Sequence, residues 1–198
     1  MTVTDERFQK QLDFILELDK EKQILRQTHL SDYSRRENDA EHAWHMAIML
    51  YLLKEYANEP FDLAKAMMMA LIHDVVEIDA GDTYAYDEEA KKTQAEREAK
   101  AAERIFGLLP EDQRDELRSL FAEYEAQETP EAHIVRSMDS LQPLLLNDKT
   151  EGRDWRSHGV RMEQVIRRQE PGRLGSEKIW EFSRALIERN TREGKILK

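Results

Sequence analysis

The 198-residue chain has no cysteine. That excludes disulfides, thiolate zinc sites and a cysteine nucleophile together, so any metal must be held by nitrogen and oxygen. Glycine and proline are scarce, at 7 and 5 residues, which leaves few points where a helix must break. Positive charge is outnumbered: 30 Lys and Arg against 41 Asp and Glu give a formal net charge of -11. With no dense basic patch, a nucleic acid polymer is not an expected partner, because backbone binding needs clustered Lys and Arg. A small anionic substrate stays compatible with this balance where a metal and a few arginines make a site locally positive. No stretch approaches the roughly 18 apolar residues of a membrane span. The start, Met1 to Arg7, is polar and lacks the apolar core of a signal peptide. The expected setting is the cytoplasm, with no membrane partner.

What the chain has instead is helix-forming composition, 40% hydrophobic and 36% charged, and an all-α fold is the expectation. Apolar spacing through Phe8, Leu12, Ile15, Leu16 and Leu18 predicts a first helix over about 5–24. His29 to Glu37 reads as a loop. Asn38-Asp39-Ala40-Glu41 has the form of a capping box and opens a helix bearing Trp44, Ile48 and Leu52. Asp62 caps a helix predicted from Leu63 to about Ile78, with Gly81 in the left-handed position beyond it. Further helices are expected over 87–106, from Leu108 to Tyr124, from Thr129-Pro130-Glu131 through Asp139, around Met162 to Arg168, and from Ser176 onward. Pro143 should kink or stop its helix. No linker or repeat divides residues 1–198, so one helical domain is expected.

The sharpest signal is His73-Asp74, set inside the apolar run Ala66 to Ile72 and ahead of Val75-Val76. Ionisable groups are costly to bury without a partner charge or metal. His42 and Asp139 offer two more ligands of suitable type, entering from separate helices as in the metal sites of helical bundles. Glu77 lies one turn after His73, and Asp82 follows Gly81. Two such acids supply what phosphate-ester hydrolysis needs: one orients or deprotonates the attacking water, the other protonates the leaving alkoxide. Singly these residues have ordinary explanations. A His-Asp dipeptide can be a simple ion pair, His42 can be held by Glu41, and Asp139 can be a plain polar residue. Their co-occurrence with apolar flanks favours a metal site. His45, one turn from His42, reads as a structural residue supporting a ligand; His29, His133 and His158 read as surface or supporting residues, and Met67-Met68-Met69 as core packing.

The order His42, His73-Asp74, Asp139 resembles the H…HD…D pattern of HD-domain metal-dependent phosphohydrolases. Arg36 to Trp44, Ala70 to Asp82, Leu109 to Asp112 and Phe121 to Glu125 resemble the 5'-deoxynucleotidase branch in particular, over roughly residues 10–148. The resemblance implies an all-helical HD-type bundle that removes phosphate from 2'-deoxynucleoside 5'-monophosphates. It implies one divalent transition metal (Mn, Co, Zn, Ni or Fe) on His42, His73, Asp74 and Asp139, and catalytic acids Glu77 and Asp82. Arg26 is the positional match to a phosphate-binding arginine, with Arg36 as a further candidate. Where the family often places a sugar-side tryptophan close behind that arginine, this chain has Gln27-Thr28-His29-Leu30. The resemblance also implies a homodimer, for which the apolar C-terminal helix could serve. The competing readings are an HD-type hydrolase of another small phosphoester, such as a ribonucleotide, a nucleoside triphosphate or a phosphometabolite, and a nucleotide-binding regulator without turnover.

Overall fold

A computed structural model describes residues 5–198; the predicted polar start at 1–4 lies outside them. The first helix is shorter than expected. α1 spans Glu6–Leu18, and Asp19–Gln23 continue as a 3-10 turn. Its buried residue is Phe14, while Phe8, Ile15 and Leu16 face outward, because α1 lies over the protein on one side only and meets Phe106 with its Phe14 ring.

The predicted loop at 29–37 is the turn of a hairpin. β1 (Leu25–His29) pairs antiparallel with β2 (Arg36–Asn38), with a register irregularity between Leu25↔Asn38 and His29↔Arg36. Neither strand alternates apolar and polar side chains, so only backbone pairing reveals them.

Asn38 caps α2 (Asp39–Leu53) with the complete capping box: its Oδ1 accepts from Glu41 N–H and Glu41 Oε2 accepts from Asn38 N–H. The period was legible but the buried face was not. Ala43, Met46, Ala47 and Leu50 are buried, whereas Trp44, Ile48 and Leu52 are exposed. A helix apolar all round does not declare its inner face.

α3 runs from Leu63 to Ile72, with both Ala64 and Lys65 N–H groups donating to Asp62. It stops six residues before the expected end, so His73 is its C-cap and not a mid-helix residue. Glu77 N–H donates to Asp74 O and Ile78 N–H to Val75 O, i→i−3 bonds that tighten the chain before the single-turn α4 (Glu77–Ala80). Gly81 then closes α4 through its N–H to Glu77 O. Its φ of +73° and ψ of 148° lie outside the left-handed helical region that was expected, in a mirror-extended region open chiefly to glycine.

α5 (Gln94–Phe106), α6 (Glu111–Ala126) and α7 (Pro130–Lys149) follow near their predicted places. Pro143 neither stops α7 nor ends its burial. Beyond it, α8 (Arg153–Ser157), α9 (Met162–Gln169) and α10 (Glu177–Arg192) give the C-terminal third more helix than its polarity suggested.

The architecture is all-α apart from the small hairpin. One apolar cluster gathers α2, α3, α7, α9 and α10 around Met46, Met138, Trp155 and Ile187. A second gathers Phe14, Val75, Val76, Ile105 and Phe106. The His73-Asp74 turn joins the two. Among the described residues no helix is long and apolar enough to cross a membrane.

Candidate metal and phosphoester site

Three of the four predicted ligands come together. Donor atoms of His42, His73 and Asp139 lie within 4.8 Å of one another, carried by the first turn of α2, the cap of α3 and the middle of α7. All three are buried. His73 Nδ1 donates to Ala70 O at 2.8 Å; a carbonyl only accepts, so Nδ1 holds the proton and Nε2 of the neutral ring presents a lone pair. His42 is oriented in the same sense. Its Nδ1 donates to Gln142 Oε1 at 3.0 Å, and Gln142 Nε2 donates to Glu37 Oε1 at 2.6 Å. The glutamine amide is thereby fixed with its oxygen toward the histidine. His42 Nε2 then faces Asp139 Oδ1 at 3.3 Å.

Asp139 is held from behind. Its Oδ2 accepts from Tyr124 OH at 3.1 Å, Arg136 Nη1 at 3.2 Å and Arg168 Nη2 at 2.8 Å, leaving Oδ1 turned to the histidines. Asp74, the fourth predicted ligand, stands at the edge of this group: its Oδ2 is 3.2 Å from His73 Nε2 and accepts from Arg26 Nη1 at 2.6 Å.

His73 Nε2 is buried and makes no hydrogen bond of acceptable geometry, although acids stand on two sides of it. Burial opposes a charge on His73, yet Asp74 and Asp139 outweigh burial and push its pKa up to about 9. Burial, helped by the charge of Arg26, pulls His42 down to about 4. The surroundings thus demand positive charge between a neutral imidazole and two carboxylates. A divalent ion supplies it, and imidazole nitrogen with carboxylate oxygen suits the transition metals. The residues present fit such an ion.

Glu77 and Asp82, the predicted acids, join a third that the sequence did not single out. Asp39, Glu77 and Asp82 have carboxylate oxygens within 4.8 Å of one another. Glu77 Oε2 and Asp39 Oδ2 are buried without partners. Burial first, and then the charges of Asp74 and Asp39, push Glu77 up to about 11. Burial and Asp74 likewise raise Asp39 to about 7. Arg26, on β1, reaches between the groups: its Nη1 bonds Asp74 and lies 3.2 Å from Asp39 Oδ1.

The site opens into a cavity of about 330 Å3 whose walls include Arg26, Asp74, Glu77, Asp82, Asp139 and Arg168. Arg36 does not line it; it is exposed on β2, though its charge still reaches Asp82. Reasoning along the chain missed Gln142, Arg136 and Tyr124, and Arg168 in the segment after 150. Arg136 and Gln142 stand three residues to either side of Asp139, hence on its face of α7, and that spacing could have flagged them. Arg168 and Tyr124 carry no local signal. His45 Nδ1 accepts from Gln142 Nε2 at 3.2 Å, and so stands behind the candidate ligand His42.

Comparison with known proteins agrees with this geometry. Residues 18–180 match the HD domain family. The chain is 34% identical over 111 residues to 5'-deoxynucleotidase HDDC2 of Homo sapiens, 56% of this chain and 53% of that protein. It is 31% identical over 115 residues to a 5'-deoxynucleotidase of Shewanella oneidensis, 54% of this chain and 58% of that protein. The chain thus spans about half the length of the curated relatives it matches. Among solved structures, a predicted metal-dependent phosphohydrolase from Magnetospirillum magnetotacticum superposes with a TM-score of 0.93 at 48% identity, covering 98% of this chain and 97% of that one. Histidine and aspartate donors converging from three helices, and a family match over most of the chain, lead to one conclusion: the chain belongs to the HD domain family.

Proposed function

We propose that the protein is a divalent-metal-dependent phosphohydrolase of the 5'-deoxynucleotidase type, releasing phosphate from deoxynucleoside 5'-monophosphates. The observation that carries this reading is the orientation of the two histidines. Both Nδ1 protons are committed to oxygen acceptors, and both Nε2 atoms converge with Asp139 Oδ1 at the wall of a cavity lined by arginine. His42, His73, Asp74 and Asp139 would hold the ion, which supplies Lewis-acid charge neutralisation to the phosphate when bound. Manganese, cobalt, zinc, nickel and iron all suit this donor set.

The chain's own groups account for the rest. Arg26 neutralises phosphate charge by a planar two-point contact, exchanging its bond to Asp74 for the substrate, with Arg36 as an outer contribution to the field. Glu77, held protonated by burial and its acidic neighbours, is placed to give a proton to the leaving 5'-oxygen. Asp82, five residues after it and in the same cluster, orients the attacking water and accepts its proton. The relatives named 5'-deoxynucleotidase support the monophosphate as substrate. The same reading places the protein in the cytoplasm, with the nucleotide pool.

We further infer a homodimer, through a different helix from the one the sequence suggested. α10 buries Ile179, Trp180, Leu186 and Ile187 in the core, whereas Trp44, Ile48, Tyr51 and Leu52 follow one face of α2 and are 43–62% exposed. Exposed apolar area of this kind marks an interaction surface.

The test is phosphate release from a panel of nucleotides by the chelator-stripped protein reloaded with each metal in turn. Deoxynucleoside 5'-monophosphates should be cleaved in a metal-dependent manner. Pyrophosphate release from triphosphates, or no turnover with any metal, would overturn the reading.

A further inference from the structure

The cavity has lining residues with no part in the chemistry above. Tyr84, Tyr86, Asp154 and Trp155 are among them, as is Thr28. Two chain segments join this lining to the phosphate groups. Along β1, Arg26, Gln27 and Thr28 all line the cavity, with Thr28 two residues beyond the arginine. In the second segment Tyr84 follows Asp82 by two residues, at most ~7.6 Å between Cα atoms. Both segments therefore continue the cavity wall two residues past a group assigned to the phosphate chemistry.

Tyr84 is firmly held. Arg97 on α5 bonds Ala80 O and donates to Thr83 Oγ1 at 2.8 Å, fixing the residues just before the tyrosine. Its ring meets Tyr86 edge-on, with centroids 5.2 Å apart and planes at 85°, and His158 at 4.7 Å and 46°. Neither neighbour stacks parallel on it. Asp154, another lining residue, is also held: it accepts from His29 N–H at 3.0 Å and bonds His29 Nδ1 at 2.8 Å, tying α8 to the end of β1.

We propose that Tyr84 is a specificity-determining residue that stacks on the nucleobase of the substrate. This rests on the monophosphate reading and adds to it a reason why a nucleotide is chosen over a phosphate ester without an aromatic group. A tyrosine ring held in place on the wall of the cavity that also holds the phosphate arginine recognises a base by its π-face and tolerates base identity. The protein should accordingly discriminate weakly among bases.

The test needs no turnover. Binding of deoxyadenosine and of inorganic phosphate to the metal-loaded protein is measured by calorimetry for wild type, Tyr84→Ala and Tyr84→Phe. Tyr84→Ala should weaken deoxyadenosine by about tenfold and leave phosphate unchanged, while Tyr84→Phe retains both. Unchanged deoxyadenosine binding in Tyr84→Ala, or no binding of it to the wild type, overturns the proposal, as does an equal loss of phosphate binding, which would mark Tyr84 as structural only. Failure of the hydrolysis panel with these results intact would sink the phosphatase reading and leave the base platform standing.

Discussion

His42 and Asp139 show how much of this site lies in side chains that never meet a ligand. Each donor atom is aimed by what its other end binds: Gln142 for His42, Ala70 O for His73, and Tyr124, Arg136 and Arg168 for Asp139. Gln142 is fully buried and serves both His42 and Glu37. Replacing it with leucine leaves the Glu37 carboxylate without its donor and lets the imidazole rotate or change tautomer. Supporting residues of this kind are worth about 10- to 100-fold in metal affinity. Gln142→Leu should therefore bind metal about 10- to 100-fold more weakly in a competition titration with a coloured chelator. Wild-type affinity would show that the amide does not orient the ligand. The residue types were legible at this scale, since His73-Asp74 in an apolar run announces a buried charge. The partners were not, because Arg168 and Tyr124 are distant in sequence and ordinary in context.

At the level of elements, end signals were read more reliably than helix faces. Asn38, Asp62, Thr129 and Ser176 all cap the helices they were expected to open, each through its own side chain, because a cap is a local bond between near neighbours. The hairpin, the stop of α3 at Ile72 and the inner face of α2 depend on what lies across the fold. The junction of α7 with α10 can be tested on its own. Asp148 accepts from Arg189 Nη2 at 2.6 Å and Asn190 Nδ2 at 2.8 Å. Partial burial works against its charge, but these bonds outweigh burial and hold its carboxyl below the ordinary value. A depressed folded pKa contributes stability that is present above the unfolded value of about 3.9 and is lost as pH falls through the folded one. Asp148→Asn should lower unfolding free energy by ~1 kcal/mol at pH 7, a figure already reduced for its partial exposure. In urea titrations the gap to wild type should narrow below about pH 4; a gap that is constant with pH would mean the carboxylate charge contributes nothing.

On the scale of the whole molecule, two features were unreadable along the chain: where the last third packs, and which surface stays open. α8, α9 and α10 close over α7, deliver Arg168 to Asp139 and Asp154 to the cavity wall, and use up the apolar face of α10. Among the described residues, the Trp44 face of α2 stays exposed. A two-fold dimer would present that patch twice against itself. Trp44→Glu should convert a dimer to a monomer in sedimentation velocity while metal binding persists, since Trp44 points away from the His42 side of its helix. A wild type that sediments as a monomer across the micromolar range would remove the dimer.

The amino-acid sequence by itself determined the donor chemistry, the helical class and the helix starts, because composition, short-range periodicity and capping are properties of neighbours. Only the tertiary structure decided that His42, His73 and Asp139 converge, that Asp39 belongs with Glu77 and Asp82, that Arg36 stays outside the cavity, and which face of α2 is exposed. Those outcomes depend on packing between helices far apart in sequence, where burial and the surrounding charge set each group's role.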